Sequence, residues 1–129
     1  MIMAKADMTV LVVEDEKLQS WSLAKSLAKW GYEVIPVYTG MDAVSQVEKS
    51  GYDVILLDYQ LPDLDGLEVA RRVRQMQPGA VIFLVTVFQL SELPAHAGLI
   101  DVYFNKPLDL QQLQQALKKT PKYRGVARG

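Results

Sequence analysis

The chain of 129 residues contains no cysteine. That excludes disulfide cross-links, thiol catalysis and cysteine-ligated zinc, and it suits a reducing compartment. A surplus of charge is missing too: 14 Lys and Arg stand against 15 Asp and Glu, a net charge of −1. No global field therefore favours a nucleic-acid or membrane partner. Long hydrophobic runs are also absent. The longest, near residues 80–85, is far short of the roughly 20 residues that cross a bilayer. The opening MIMAKADMTVLVVEDE runs from a short apolar stretch straight into acids and makes a poor signal peptide. A cytoplasmic domain that neither enters membranes nor binds nucleic acid directly is the expectation. What is present is a globular mix, 50% hydrophobic and 22% charged, in a length typical of one domain.

Short β-rich runs alternate with helix-period segments. TVLVV (9–13), EVIPV (33–37), VILLD (54–58), AVIFLVT (80–86) and VYFN (102–105) are almost continuously apolar, as strands covered on both faces should be. Between them, Leu23, Leu27 and Trp30 make a helical stripe over 17–30, which Gly31 terminates. Thr39 is placed to cap a helix near 41–50 that turns Ala43, Val44 and Val47 inward. Asp65 followed by Glu68 forms a capping box for a helix over 66–76, and Leu110, Leu113 and Leu117 stripe a last helix over 108–119. The segment SELPAHAGLI (91–100) holds Pro94 and Gly98, which allow a turn or two of helix at most. Residues 1–8 read as an N-terminal extension, 9–119 as one domain, and 120–129 as a basic tail or the start of a linker.

Repeated strand–helix alternation with short connections predicts an α/β fold: a doubly wound, five-stranded parallel sheet with helices on both faces. Such sheets collect ligands beyond the carboxyl ends of their strands, where strand order reverses. Glu14, Asp15 and Glu16 follow the first strand, Asp58 ends the third, Thr86 the fourth, and Lys106 follows the fifth. Taken singly, each has a plain reading. The acids suit a helix start, Asp58 a turn, Thr86 a strand, and Lys106 a solvated surface. Taken together they would share one edge. Three carboxylates within about 5 Å repel by roughly 3 kcal/mol per pair at an effective dielectric of 20, so they must share protons or hold a cation. Oxygen-only ligands suit Mg²⁺, and a lysine and a hydroxyl opposite suit a phosphoryl group.

VVEDE (12–16), LLDYQLPDLDGLE (56–68), the strand-ending Thr86 and YFNKP (103–107) stand in the order found in response regulator receiver domains, the phosphoacceptor modules of two-component signalling. The chain resembles that family over about residues 8–119. The resemblance implies the flavodoxin-like strand order 2-1-3-4-5 and no enzyme activity beyond promoting its own phosphorylation and dephosphorylation. It implies that Asp58 takes a phosphoryl group from a histidine kinase or phosphotransfer protein, and that the chain regulates an output domain or partner, with homodimerisation allowed. Mg²⁺ (or Mn²⁺) would be held by Asp15 and Asp58, by Glu14 through water, and by the Gln60 carbonyl. Lys106, ahead of a commonly cis Pro107, would neutralise the phosphoryl oxygens. Thr86 would move to the phosphoryl group and vacate space for the ring of Tyr103; the alternative is that Tyr103 is a fixed aromatic at the core edge.

Several residues depart from the family pattern. Val87 replaces a small residue and should narrow access to the pocket. The stretch from Thr86 to Lys106 is about two residues short, with Pro94 inside it. Gln60 and Phe88 occupy positions that tune dephosphorylation. Trp21 reads as packed at a rim, Asp63 as a solvated loop residue and His96 as a surface residue. Two other functions compete. An aspartyl-nucleophile phosphatase would need an acid where Gln60 stands, and a phosphorylation-independent interaction module would tolerate Val87 and the short connection.

Overall fold

The computed structural model describes residues 8–121. Parts of the expected extension and tail, residues 1–7 and 122–129, lie outside the described residues. Among the described residues, five strands and four α-helices follow one another: β1 (Thr9–Val13), α1 (Lys17–Lys29), β2 (Glu33–Val37), α2 (Gly40–Lys49), β3 (Val54–Asp58), α3 (Gly66–Met76), β4 (Val81–Thr86), β5 (Val102–Asn105) and α4 (Leu110–Lys118). All strand pairs are parallel, in the order β2-β1-β3-β4-β5. Pro36, which has no N–H to donate, sits on the edge strand β2, where the ladder tolerates it.

Two apolar layers sandwich the sheet because successive side chains of each strand point to opposite faces. Leu11, Val13, Ile55, Leu57, Ile82 and Leu84 pack with Ala43, Val47, Val69 and Val73 of α2 and α3. Val10, Val12, Leu56, Phe83 and Phe104 pack with Leu27 of α1 and with Leu113 and Leu117 of α4. Met8, the last residue of the expected extension, is buried in this second layer. Every residue of β3 is buried, Asp58 included. Asp58 is thus carried by the central strand of the sheet, packed on both faces.

The helix starts follow local chemistry. Thr39 Oγ1 accepts the Asp42 N–H at 3.0 Å, and an Asp65 carboxylate oxygen accepts the Glu68 N–H at 2.9 Å. Such caps contribute about 1 kcal/mol each. The Glu68 carboxylate does not complete the expected box but pairs with Arg71 and Arg72 one turn on. Asp109 caps α4, so Leu110 falls at the helix start, 43% exposed rather than on the buried stripe.

Between β4 and β5 the only helical piece among the described residues is the 3-10 turn Leu90–Glu92. Pro94 and Gly98, at φ +79°, forbid continuation. The connection is held from outside instead. Arg74 of α3 donates to the carbonyl oxygens of Leu99 (3.2 Å), Pro78 (3.1 Å) and Ala80 (2.5 Å), and pairs with Asp101 at 2.6 Å.

Candidate functional site

Strand order reverses between β1 and β3, and the residues singled out in the sequence gather beyond those ends. Glu14 and Asp58 are buried while Asp15 is exposed. One oxygen from each of the three lies within 4.8 Å of the others, a set able to hold a metal ion. Lys106 reaches in from the end of β5. Its Nζ stands 3.0 Å from Asp58 Oδ2 and 3.9 Å from Glu14 Oε1. The Lys106 N–H donates to the Thr86 carbonyl at 3.0 Å, which ties the residue to the end of β4; the Lys106–Pro107 peptide is cis.

Three carboxylates against one ammonium leave the cluster at a formal −2. Burial raises the Glu14 pKa above its ordinary value. Repulsion from Asp58 and Asp15 adds to this, while the Glu16 N–H and Lys106 oppose it. The negative excess and the oxygen-only donor set fit a hard divalent cation. Gln60 is exposed, and its N–H donates to Asp58 Oδ1 at 3.3 Å, which fixes the turn after the strand.

Thr86 is buried at the end of β4, and its Oγ1 accepts the Phe88 N–H at 3.0 Å. Asn105, which pairs with Thr86 in register, donates from Nδ2 to the carbonyls of Thr86 (3.2 Å) and Phe88 (3.0 Å). Tyr103 is half-buried on the α2/α3 face, and burial raises its phenol above the usual range. Val87 is 58% exposed and borders, with Asp58, Glu14, Lys106 and Pro107, a cavity of about 600 Å³ that opens toward Ser22 and Leu23 of α1. Trp21 is 60% exposed rather than rim-packed; its partner is Lys25, whose Nζ lies 4.7 Å from the ring centroid.

Two residues read as solvated have specific partners. Asp63 accepts the N–H groups of Gly40, Met41 and Leu64 at 2.8, 2.8 and 2.9 Å, tying the turn after β3 to the start of α2. His96 Nδ1 shares a hydrogen bond with the Tyr103 hydroxyl. Neither contact had a signal in the sequence, because both partners are joined only by the tertiary fold.

The sequence profile of the response regulator receiver domain matches residues 10–118. The transcriptional regulatory protein ZraR of Salmonella typhimurium is 34% identical over 122 residues, which cover 92% of this chain and 27% of ZraR. The chain thus spans about a quarter of that relative's length. Among solved structures, the response regulator TrrA of Thermotoga maritima in complex with Mg²⁺-BeF superposes with a TM-score of 0.80 at 29% identity, over 87% of this chain and 97% of that one. TrrA is also similar in its complex with the histidine kinase ThkA (TM-score 0.78, 29% identity, 87% and 97% covered). The receiver domain of a sensor histidine kinase from Pseudomonas aeruginosa, with a magnesium ion coordinated in its active-site cleft, matches at TM-score 0.80 and 30% identity, over 88% of this chain and 97% of that one.

Proposed function

The chain belongs to the response regulator receiver domain family of two-component signalling, and from that membership we propose that Asp58 is its phosphoacceptor. The observation that carries the reading is the 3.0 Å contact of Lys106 Nζ with Asp58 Oδ2 inside a cluster of three carboxylates. Asp58 faces the cavity on one side and is paired with the Lys106 ammonium on the other, which leaves room for a ligand beside a fixed positive charge.

In the reaction, an Asp58 carboxylate oxygen attacks phosphorus, a P–O bond forms, and the P–N bond of a phosphohistidine breaks. The imidazole leaves and takes a proton from solvent. Lys106 follows the developing charge on the phosphoryl oxygens. Glu14, Asp15 and Asp58 would hold Mg²⁺, which supplies positive charge to those same oxygens; the Gln60 carbonyl would add a ligand. TrrA's complexes with Mg²⁺-BeF and with ThkA support both the cation and a histidine kinase as donor. Thr86 gives up the Phe88 N–H to bond the new phosphoryl group, and the vacated space admits the Tyr103 ring. The chain is a stoichiometric acceptor rather than an enzyme that turns over substrate.

Incubation with Mg²⁺ and acetyl phosphate should add one phosphoryl group per chain by mass spectrometry, and Asp58→Asn should abolish the adduct. The short β4–β5 connection favours the other reading, a phosphorylation-independent interaction module. Absence of an adduct on the wild-type chain would select it.

A further inference from the structure

The β4–β5 connection has no regular helix among its described residues, yet it grips one side chain of β5. His96 is half-buried within it, and its Nδ1 shares a hydrogen bond with the Tyr103 hydroxyl. The two rings meet edge to face, with centroids 5.3 Å apart and planes at 72°. The residues around His96 supply little to pack an aromatic ring: Pro94, Ala95, Ala97 and Gly98 are all exposed. The directional polar contact therefore adds, in the middle of the connection, to the apolar packing of Leu93, Leu99 and Ile100 at its two ends. The backbone bearing His96 is itself tied down. Arg71 of α3 donates to the Ala95 carbonyl at 3.4 Å, Arg74 donates to the Leu99 carbonyl at 3.2 Å, and Leu93 is buried against the core.

Tyr103 pairs with Leu84 in the sheet register, two residues before Thr86, and lies three residues before Lys106. We propose that His96 is a positioning residue for Tyr103: its hydrogen bond fixes the phenol ring against the β4–β5 connection in the unmodified domain, and the bond is exchanged when Asp58 is phosphorylated. Either partner can donate, the phenol to a bare Nδ1 or an Nδ1–H to the phenol oxygen, so the hold does not require one tautomer. The second half of the proposal rests on Asp58 being the phosphoacceptor. If the ring moves, the His96 contact breaks and the connection loses its central tie. The signal then emerges where a fourth inter-strand helix is lacking.

The test follows the Tyr103 ring signals by NMR, assigned through Tyr103→Phe, in the wild type, His96→Ala and His96→Gln. Each is recorded with and without Mg²⁺ and beryllium fluoride, while mass spectrometry with acetyl phosphate independently reports modification of Asp58. In unmodified His96→Ala the Tyr103 signals should shift toward their position in the beryllium fluoride-treated wild type. The ratio of released to held ring should rise about fivefold, the worth of one hydrogen bond, and His96→Gln should restore part of the hold. Amide signals of β1 and β3 should stay in place, showing that the fold is intact. Unchanged Tyr103 signals in His96→Ala would overturn the positioning role. If Asp58 gains no phosphoryl group, the coupling half falls together with the phosphoacceptor reading, while the His96→Ala comparison in the unmodified chain still decides whether His96 holds the ring.

Discussion

Asp63 and Gly40, 23 residues apart in the chain, are joined by a 2.8 Å hydrogen bond from the Gly40 N–H to Asp63 Oδ1. The second carboxylate oxygen takes the Met41 N–H at 2.8 Å. The turn that leaves Asp58 is thus pinned to the first residues of α2, where backbone donors lack intrahelical partners and the helix dipole welcomes an anion.

This contact makes a pH-dependent prediction. Asp63 is exposed, and the slight desolvation it does experience would raise its pKa, but the N–H groups of Met41, Gly40 and Leu64 outweigh this, and the net shift is below the ordinary value of 3.8. A carboxylate with a depressed folded pKa contributes stability that is present above its unfolded value and lost as pH falls through the folded one. Asp63→Asn should therefore lower stability at neutral pH by about 1 kcal/mol, or roughly 4 °C in Tm. The gap to wild type should narrow once pH drops below 3.8. Thermal melts of both proteins from pH 7 downward check this, and a pH-independent gap would show that the carboxylate charge is irrelevant.

Lys106→Ala separates the two tasks of the cluster. The ion pairs to Glu14 and Asp58 among the described residues both come from Lys106. Without it the formal charge falls from −2 to −3, so Mg²⁺ should bind several-fold more tightly by calorimetry. Phosphorylation by acetyl phosphate should slow on the order of a hundredfold, because the cation facing the phosphoryl oxygens is gone. Weaker Mg²⁺ binding would mean that Lys106 positions the carboxylates rather than competing with the ion.

Gly66 sets two effects against each other. It opens α3, where alanine is the better helix former by about 1 kcal/mol. A Cβ there, however, would sit 2.7 Å from the Asp58 carbonyl oxygen and 2.8 Å from the Tyr59 Cα, both backbone atoms that cannot step aside. Overpacking of this kind costs about 1–3 kcal/mol. The steric term wins: Gly66→Ala should lower Tm and displace Asp58, seen as weaker Mg²⁺ binding. A stabilised variant would show that the turn has slack.

The strands and the site were legible for one physical reason, whereas the strand order came from the family resemblance. Strands buried on both faces read as continuous apolar runs, and charged residues at their ends are then conspicuous. Asp58 stood out because it ends VILLD, and β3 is indeed buried throughout. Caps such as Thr39 and Asp65 act within three residues and were equally visible. Asp63, His96 and Arg74 were not. Each bonds backbone or side chains from another part of the chain, and no local pattern separates such a residue from a solvated one. Leu110 marks the same limit for apolar residues, since periodicity placed it on a stripe whose helix had not yet turned inward.

Arg74 provides the last prediction. Its guanidinium reaches three carbonyls and Asp101, while Asp101 Oδ2 also accepts the Ile82 N–H at 2.8 Å. One planar group thereby joins α3, the approach to β4 and the end of the β4–β5 connection. Arg74→Ala leaves these acceptors short of a donor and should cost about 2–3 kcal/mol. Arg74→Lys keeps the charge but cannot fan out to four oxygens, so it should recover only a minor part. The loss should be local before it is global. Amides over 94–101 should exchange faster in Arg74→Ala while those of β1 and β3 remain protected, because the connection has no helical ladder of its own to fall back on. Hydrogen exchange read by mass spectrometry separates the outcomes. Equal protection of 94–101 in the variant and the wild type would mean that the buried Leu93 and the His96–Tyr103 contact hold the connection without the arginine.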